Sequence, residues 1–200
     1  MLERKDLKAI FEIIKPSSKV LDLGCGDGVL LGELVSEKKV NGLGIEISIE
    51  KIKSCLNNGI SVIQEDLNEG LKDFKDNTFD YVILSQTLEY IAHPIYLIKE
   101  MLRVGKNVVI SFENLAHWKN RITFLLKGTL REARTNVNSL FFRKKVQILT
   151  VKKFFDFCAF YKIQTSCQKF LPHKKSNLNQ TFPNLFSKIA IFVLKGEFLV

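Results

Sequence analysis

The chain has 200 residues, enough for one domain and a sizeable core. Hydrophobic residues make up 46% and charged residues 26%, with four prolines and eleven glycines, which excludes collagen-like and Pro/Gly-rich disordered classes. No uninterrupted apolar run exceeds about eight residues, too short for a membrane-spanning helix, which needs roughly 20. The net charge of +9 is unevenly placed: residues 1–100 carry 12 Lys+Arg against 17 Asp+Glu, and residues 101–200 carry 18 against 4. Such asymmetry can mark a nucleic-acid or acidic partner, or simply a lysine-rich surface.

In chain order, Leu7, Ile10, Phe11 and Ile14 predict an amphipathic helix over 3–14, ended at Pro16-Ser17-Ser18. The mixed-charge start, with no apolar stretch behind it, has no signal-peptide pattern, so a cytoplasmic location is expected. Lys19 to Leu23 reads as a buried strand, followed by the turn Gly24-Cys25-Gly26-Asp27-Gly28 and a helix to about Glu37. Val40 to Ile47 is the second strand. Ser48 can cap the next helix, which closes near Asn57-Asn58-Gly59. Ile60 to Gln64 and Phe79 to Leu84 are the third and fourth strands. Pro94 opens a helix that Gly105 stops, and Asn107 to Phe112 is the fifth strand. This alternation is the signature of parallel βαβ units. Residues 115–147 fit no such unit and read as an insertion or lid, partly helical, basic and aromatic. Thr150 caps a helix over Val151 to Tyr161; Ile163 to Gln168 and Ile189 to Leu194 are the last strands, with a loop at Pro172–Pro183 between them.

The strongest chemical signal is Asp22-Leu23-Gly24-Cys25-Gly26-Asp27-Gly28 between a buried strand and a helix. Glycines there let backbone approach a ligand, and the N–H groups at the helix start suit a polar ligand group. Glu46 lies 20 residues past Gly26, at the end of the next strand, where a carboxylate reaches ribose hydroxyls in nucleotide-binding α/β folds. No Gly-Lys-Ser/Thr follows the turn, and Asp22 and Asp27 would repel a pyrophosphate but attract an amine. The ligand expected is an adenosine with a positively charged amino-acid tail. The four cysteines form no C-x-x-C pair and are expected as reduced thiols, and the three histidines show no metal-ligand spacing.

The turn resembles motif I of class I S-adenosylmethionine (SAM) methyltransferases. The resemblance implies one Rossmann-like α/β domain over 1–200, with seven strands, mostly parallel, and the last antiparallel. It implies that Asp22, Gly24, Cys25, Gly26, Asp27 and Gly28 surround the methionine moiety of SAM or S-adenosylhomocysteine (SAH). It implies that Glu46 takes the ribose, Ile47 lies beside the adenine, Asp66 and Leu67 read its edge, and Ser85 with Gln86 closes the pocket. Further stretches resemble the methionine-biosynthesis protein W (MetW) family: Val62 to Leu71, Phe79 to Leu88, Glu100 to Gly105, and Ser111-Phe112-Glu113-Asn114 with His117-Trp118 and Arg121. Members of that family are linked to activation of homoserine O-acyltransferase (MetX), which makes that enzyme the expected partner. The family's Asn-Ile-His and Trp-Tyr elements become Lys145-Val146-Gln147 and Leu140-Phe141-Phe142 here, so nothing is carried over from that segment. A small-molecule methyltransferase is the alternative, and a nucleic-acid methyltransferase using the basic half is a further one. No metal, membrane or specific nucleic-acid contact is expected. His117-Trp118 reads first as packing with a hydrogen bond, and Cys25 as a small packed side chain.

Overall fold

The computed structural model describes residues 2–128, 148–172 and 178–196. Helix α1 (Lys5–Ile13) precedes β1 (Lys19–Leu23), α2 (Val29–Lys38), β2 (Asn41–Glu46), α3 (Ile49–Asn57) and β3 (Val62–Gln64). Then follow β4 (Tyr81–Ser85), α4 (Pro94–Val104), β5 (Val108–Glu113), α5 (Trp118–Lys127), α6 (Val151–Phe160), β6 (Gln164–Pro172), α7 (Leu178–Thr181), α8 (Pro183–Phe186) and β7 (Ser187–Lys195).

The sheet has seven strands in the order β3-β2-β1-β4-β5-β7-β6. β3, β2, β1, β4 and β5 pair in parallel, and β7 runs antiparallel to both β5 and β6. Six strands therefore share one direction and β7 is reversed, as expected. The central strands are buried on both faces, which is why β1, β4 and β5 read as mostly apolar runs, with Asp22 and Ser111 as buried polar exceptions. Alternate residues feed two cores. Leu21, Leu23, Val82, Leu84, Val108 and Ile110 pack with α4 and α6 on one side. Val20, Tyr81, Ile83 and Val109 pack with α1 and α2 on the other. Phe192 on β7 stacks on Phe112 at 5.9 Å and meets Phe154 of α6 at 4.6 Å, tying the reversed strand into the first core.

Helix punctuation follows local chemistry. Pro94 occupies the first turn of α4. Gly105 ends it with an extended backbone, and a Cβ there would lie 2.5 Å from Val82 Cγ2, so only glycine fits against β4. Arg103, near the end of α4, donates to Glu100 and to the carbonyls of Leu71 and Phe74, which fastens the segment before β4. Thr150 Oγ1 accepts the Lys153 N–H at 3.1 Å and caps α6 as expected.

Three details differ from the sequence reading. Ser48 sits at the N-cap of α3, but its side chain makes no cap bond; the Glu46 carboxylate takes the Ser48 N–H instead. The third strand is shorter, beginning at Val62. The stretch expected as a loop at Pro172–Pro183 includes the short helix α7, whose Asn179 is buried and donates to the Phe170 carbonyl; residues 173–177 lie outside the described residues. Of the expected lid at 115–147, the described part contains α5; residues 129–147, including Leu140–Phe142 and Lys145–Gln147, lie outside the described residues.

Candidate functional site

Strand order reverses between β1 and β4, and the crevice outside their carboxyl ends is where open α/β sheets bind ligands. The turn after β1 lies there. Gly24, Gly26 and Gly28 have φ of +67°, +60° and +74°, the left-handed region that other residues enter at a cost. The Gly24 and Cys25 N–H groups both donate to the Ile45 carbonyl, at 2.8 and 3.1 Å, so the turn is pinned against β2.

Glu46 at the end of β2 is 6% exposed and fastens the turn from the other side. Its Oε2 accepts the Gly26 N–H at 2.9 Å, and its Oε1 accepts the N–H groups of Ile47 at 2.9 Å and Ser48 at 3.0 Å. The spacing of 20 residues noted in the sequence thus appears as a direct bond. Ile47 beside it is exposed, an apolar side chain at the mouth of the crevice.

Asp22 is the electrostatic centre of the turn. It is buried, and burial raises its carboxyl from 3.8 to about 7, with Glu46 adding to the rise and Arg4 opposing it. Among residues 22–28 there is no basic side chain, so the turn itself brings the carboxylates of Asp22 and Asp27 and no phosphate-binding cation. Those acceptors suit a ligand with a cationic tail and hydroxyls. Cys25 packs over Gly44, where a Cβ would come within 2.6 Å of its sulfur, and its Sγ is 4.0 Å from Cys55 Sγ. Burial is the main cause that pushes both thiols up, so they behave as packed side chains rather than nucleophiles.

The remaining predicted residues are placed differently from one another. Asp66 caps a 3-10 turn, accepting from Asn68 N at 3.0 Å and Asn68 Nδ2 at 2.8 Å. The Leu67 side chain is turned into the core and leaves only backbone for a ligand. Ser85 lies in a network the sequence did not announce. Asp6 of α1, 1% exposed, accepts from Arg4, from Ser85 Oγ at 3.2 Å and from Gln86 Nε2 at 3.0 Å. The first helix is thereby seated on the end of β4. Nothing in the local spacing of Asp6 signals a partner about 80 positions away.

His117 is buried and caps α5, its Nδ1 accepting the Lys119 N–H at 3.3 Å. This is packing with a hydrogen bond, as the sequence suggested. α5 itself buries none of its residues: Leu125 is 82% exposed, Leu126 75% and Phe124 54%. Exposed apolar rows of this kind mark interaction surfaces. Lys119, Arg121 and Lys127 flank the row, and the helix carries no acid.

Gly24→Ala tests how tightly the turn is built. Its Cβ would sit 3.0 Å from Thr87 Oγ1 and 3.1 Å from Thr87 Cγ2, on top of the left-handed φ. The φ penalty alone is roughly 1–2 kcal/mol. At Gly26 a Cβ meets nothing within 4 Å. Gly24→Ala should therefore lower Tm by more than Gly26→Ala, each by a few degrees or more. Thermal melts giving the reverse order would contradict the Thr87 contact.

The order of strands, the reversed β7 and the glycine turn define a Rossmann-like fold of the class I SAM-methyltransferase type. The profile described as "Methionine biosynthesis protein MetW" matches residues 4–194, and the chain belongs to that family. Over 131 residues the chain is 40% identical to the bifunctional methionine biosynthesis protein MetXA/MetW of Rhodopirellula baltica, covering 62% of this chain and 21% of that protein. It is 34% identical over 110 residues to a demethylmenaquinone methyltransferase of Bacillus cereus, covering 52% of this chain and 46% of the relative. The chain thus spans less than half the length of these relatives. Among solved structures, a SAM-dependent methyltransferase of Mesorhizobium loti aligns with a TM-score of 0.68 at 12% identity, over 97% of this chain and 99% of that one. The [4+2]-cyclase SpnF aligns at 0.67 and 14% identity, over 96% and 81%. At such identities the likeness shows the fold alone, and the cyclase shows that the fold hosts more than methyl transfer. Among the described residues no helix is long and apolar enough to cross a membrane.

Proposed function

We propose that this chain binds SAM or SAH in the crevice beside the glycine turn and acts as an accessory protein that activates homoserine O-acyltransferase. The observation that carries the reading is membership of the MetW family together with a relative whose name joins MetXA and MetW in one polypeptide. The site chemistry supports the ligand. Asp22, Gly24, Cys25, Gly26, Asp27 and Gly28 would surround the methionine moiety, with Asp22 and Asp27 drawing its ammonium. Glu46 would accept from the ribose hydroxyls with the lone pairs its three backbone donors leave. Ile47 would cover the adenine, Asp66 and the Leu67 backbone would meet its edge, and Ser85 would close the end of β4. The chain acts as one domain, in the cytoplasm.

The exposed row on α5 is the surface we assign to the acyltransferase. Leu125→Asp combined with Leu126→Ser should weaken that complex at least about tenfold, since apolar anchors dominate interface energy. SAH affinity should not change. The deciding experiment is the activity of the same organism's homoserine O-acyltransferase with and without this chain, then with SAM titrated in. Stimulation that the α5 variant cannot produce supports the reading. No stimulation and no co-purification would overturn it.

A second reading, a catalytic methyltransferase on a small molecule, is favoured by the likeness to the menaquinone enzyme. Methyl transfer can run largely on positioning. Label from methyl-labelled SAM appearing in a small-molecule fraction of a cell extract is its signature.

A further inference from the structure

A second cleft lies along the sheet from the glycine turn, and none of that turn's residues lines it. It has a volume of about 440 Å³, in the range of small-molecule sites. Its floor comes from the ends of β4, β5 and β6 and the start of β7, supplying Gln86, Glu113, Leu171, Lys188 and Ile189; Arg4 precedes α1, which adds Lys5 and Asp6. The cleft therefore carries both signs of charge beside an apolar wall.

Each charge is held in a way a ligand can use. Lys188 Nζ is 3.8 Å from Glu113 Oε1, both side chains about half exposed, and such a pair is worth little on its own. A zwitterion can replace it without leaving either pole bare. Arg4 is fixed over the cleft by the buried Asp6 and by Ser85 Oγ at 3.2 Å, which preorganises its guanidinium.

We propose that this cleft is a second ligand site, adjoining the glycine-turn crevice at Ser85 and Gln86, that takes a small α-amino acid: its carboxylate on Arg4 and Lys188, its ammonium on Glu113, and its side chain on Leu171 and Ile189. A ligand with one charge only would satisfy one rim and leave the other. The proposal does not depend on the accessory reading, because it rests on the charges of this cleft alone.

Saturation-transfer NMR on the full chain tests it, with glycine, L-serine and L-methionine as probes and with butylamine and butyrate as half-probes. Isothermal titration with SAH runs in parallel. The amino acids are expected to show transfer with or without SAH, and both half-probes to bind more weakly. Glu113→Gln and Lys188→Gln should each weaken the amino acids roughly tenfold, as expected for loss of one charged contact. SAH affinity should be unchanged in Glu113→Gln and Lys188→Gln, which shows that the fold is intact. Absence of transfer from every amino acid in the unsubstituted chain overturns the proposal. So does undiminished binding by the two single variants, or half-probes that bind as well as the zwitterions. Absence of SAH binding with amino-acid binding retained would instead count against the nucleotide reading.

Discussion

Glu46→Ala is expected to weaken SAH binding roughly ten- to hundredfold and to lower thermal stability as well. The two losses share one origin. The carboxylate accepts three backbone N–H groups within 3.0 Å, one of them from Gly26 at the heart of the turn. Its remaining lone pairs are the ones we assign to ribose hydroxyls. Charge-assisted bonds contribute about 1.5–3 kcal/mol each, which sets the range for affinity. Leaving buried N–H groups without an acceptor costs roughly 1–3 kcal/mol, worth about 2–4 °C of Tm per kcal/mol in a chain of this size. Titration calorimetry gives the first quantity and a melt the second. A lower Tm with an unchanged dissociation constant would mean that Glu46 only fastens the turn and that the ribose is held elsewhere.

That double role explains what the sequence could and could not reveal. The core strands were legible because β1, β4 and β5 are buried on both faces and so are mostly apolar rather than alternating. The glycine turn was legible because three left-handed φ values leave little choice of residue. Glu46 was legible as a carboxylate at the right distance, but its three backbone bonds were not, since they depend on how β2 ends against α3. Asp6 escaped notice for a simpler reason. On an amphipathic helix a polar residue in the first turn reads as solvated, whereas here it is buried against Ser85 and Gln86, 79 and 80 positions away. Leu67 was legible as a residue after β3, but not the direction of its side chain, which the 3-10 turn capped by Asp66 rotates into the core. Long-range polar contacts and side-chain direction in short turns carry no period, and periodicity is the signal sequence reading uses.

Asp22→Asn is expected to stabilise the ligand-free protein at pH 8 and to leave it nearly unchanged at pH 4. In the folded chain burial holds the Asp22 carboxyl at about 7, against 3.8 for the free side chain. Between those values the folded state keeps a proton that the unfolded state has released. The unfolded state binds fewer protons there, so stability falls as pH rises from about 4 to about 7 and then levels off. At about 1.36 kcal/mol for each pH unit between the two values, the loss approaches roughly 4 kcal/mol. The asparagine cannot ionise, so its Tm should exceed that of the unsubstituted chain by on the order of 10 °C at pH 8. Ligand binding reverses the preference. An ammonium drawn to Asp22 favours the ionised carboxylate, so SAH should bind more tightly as pH rises from 6 to 8 and should release a proton on binding near pH 6.5. Titrations in two buffers of different ionisation enthalpy measure that proton directly. Asp22→Asn should abolish both the proton release and the pH dependence while weakening SAH. A stability difference between the two chains that stays constant from pH 4 to 8 would show that Asp22 is already ionised in the fold. Proton release that survives the substitution would move the ammonium to another carboxylate, with Asp27 the next in the turn.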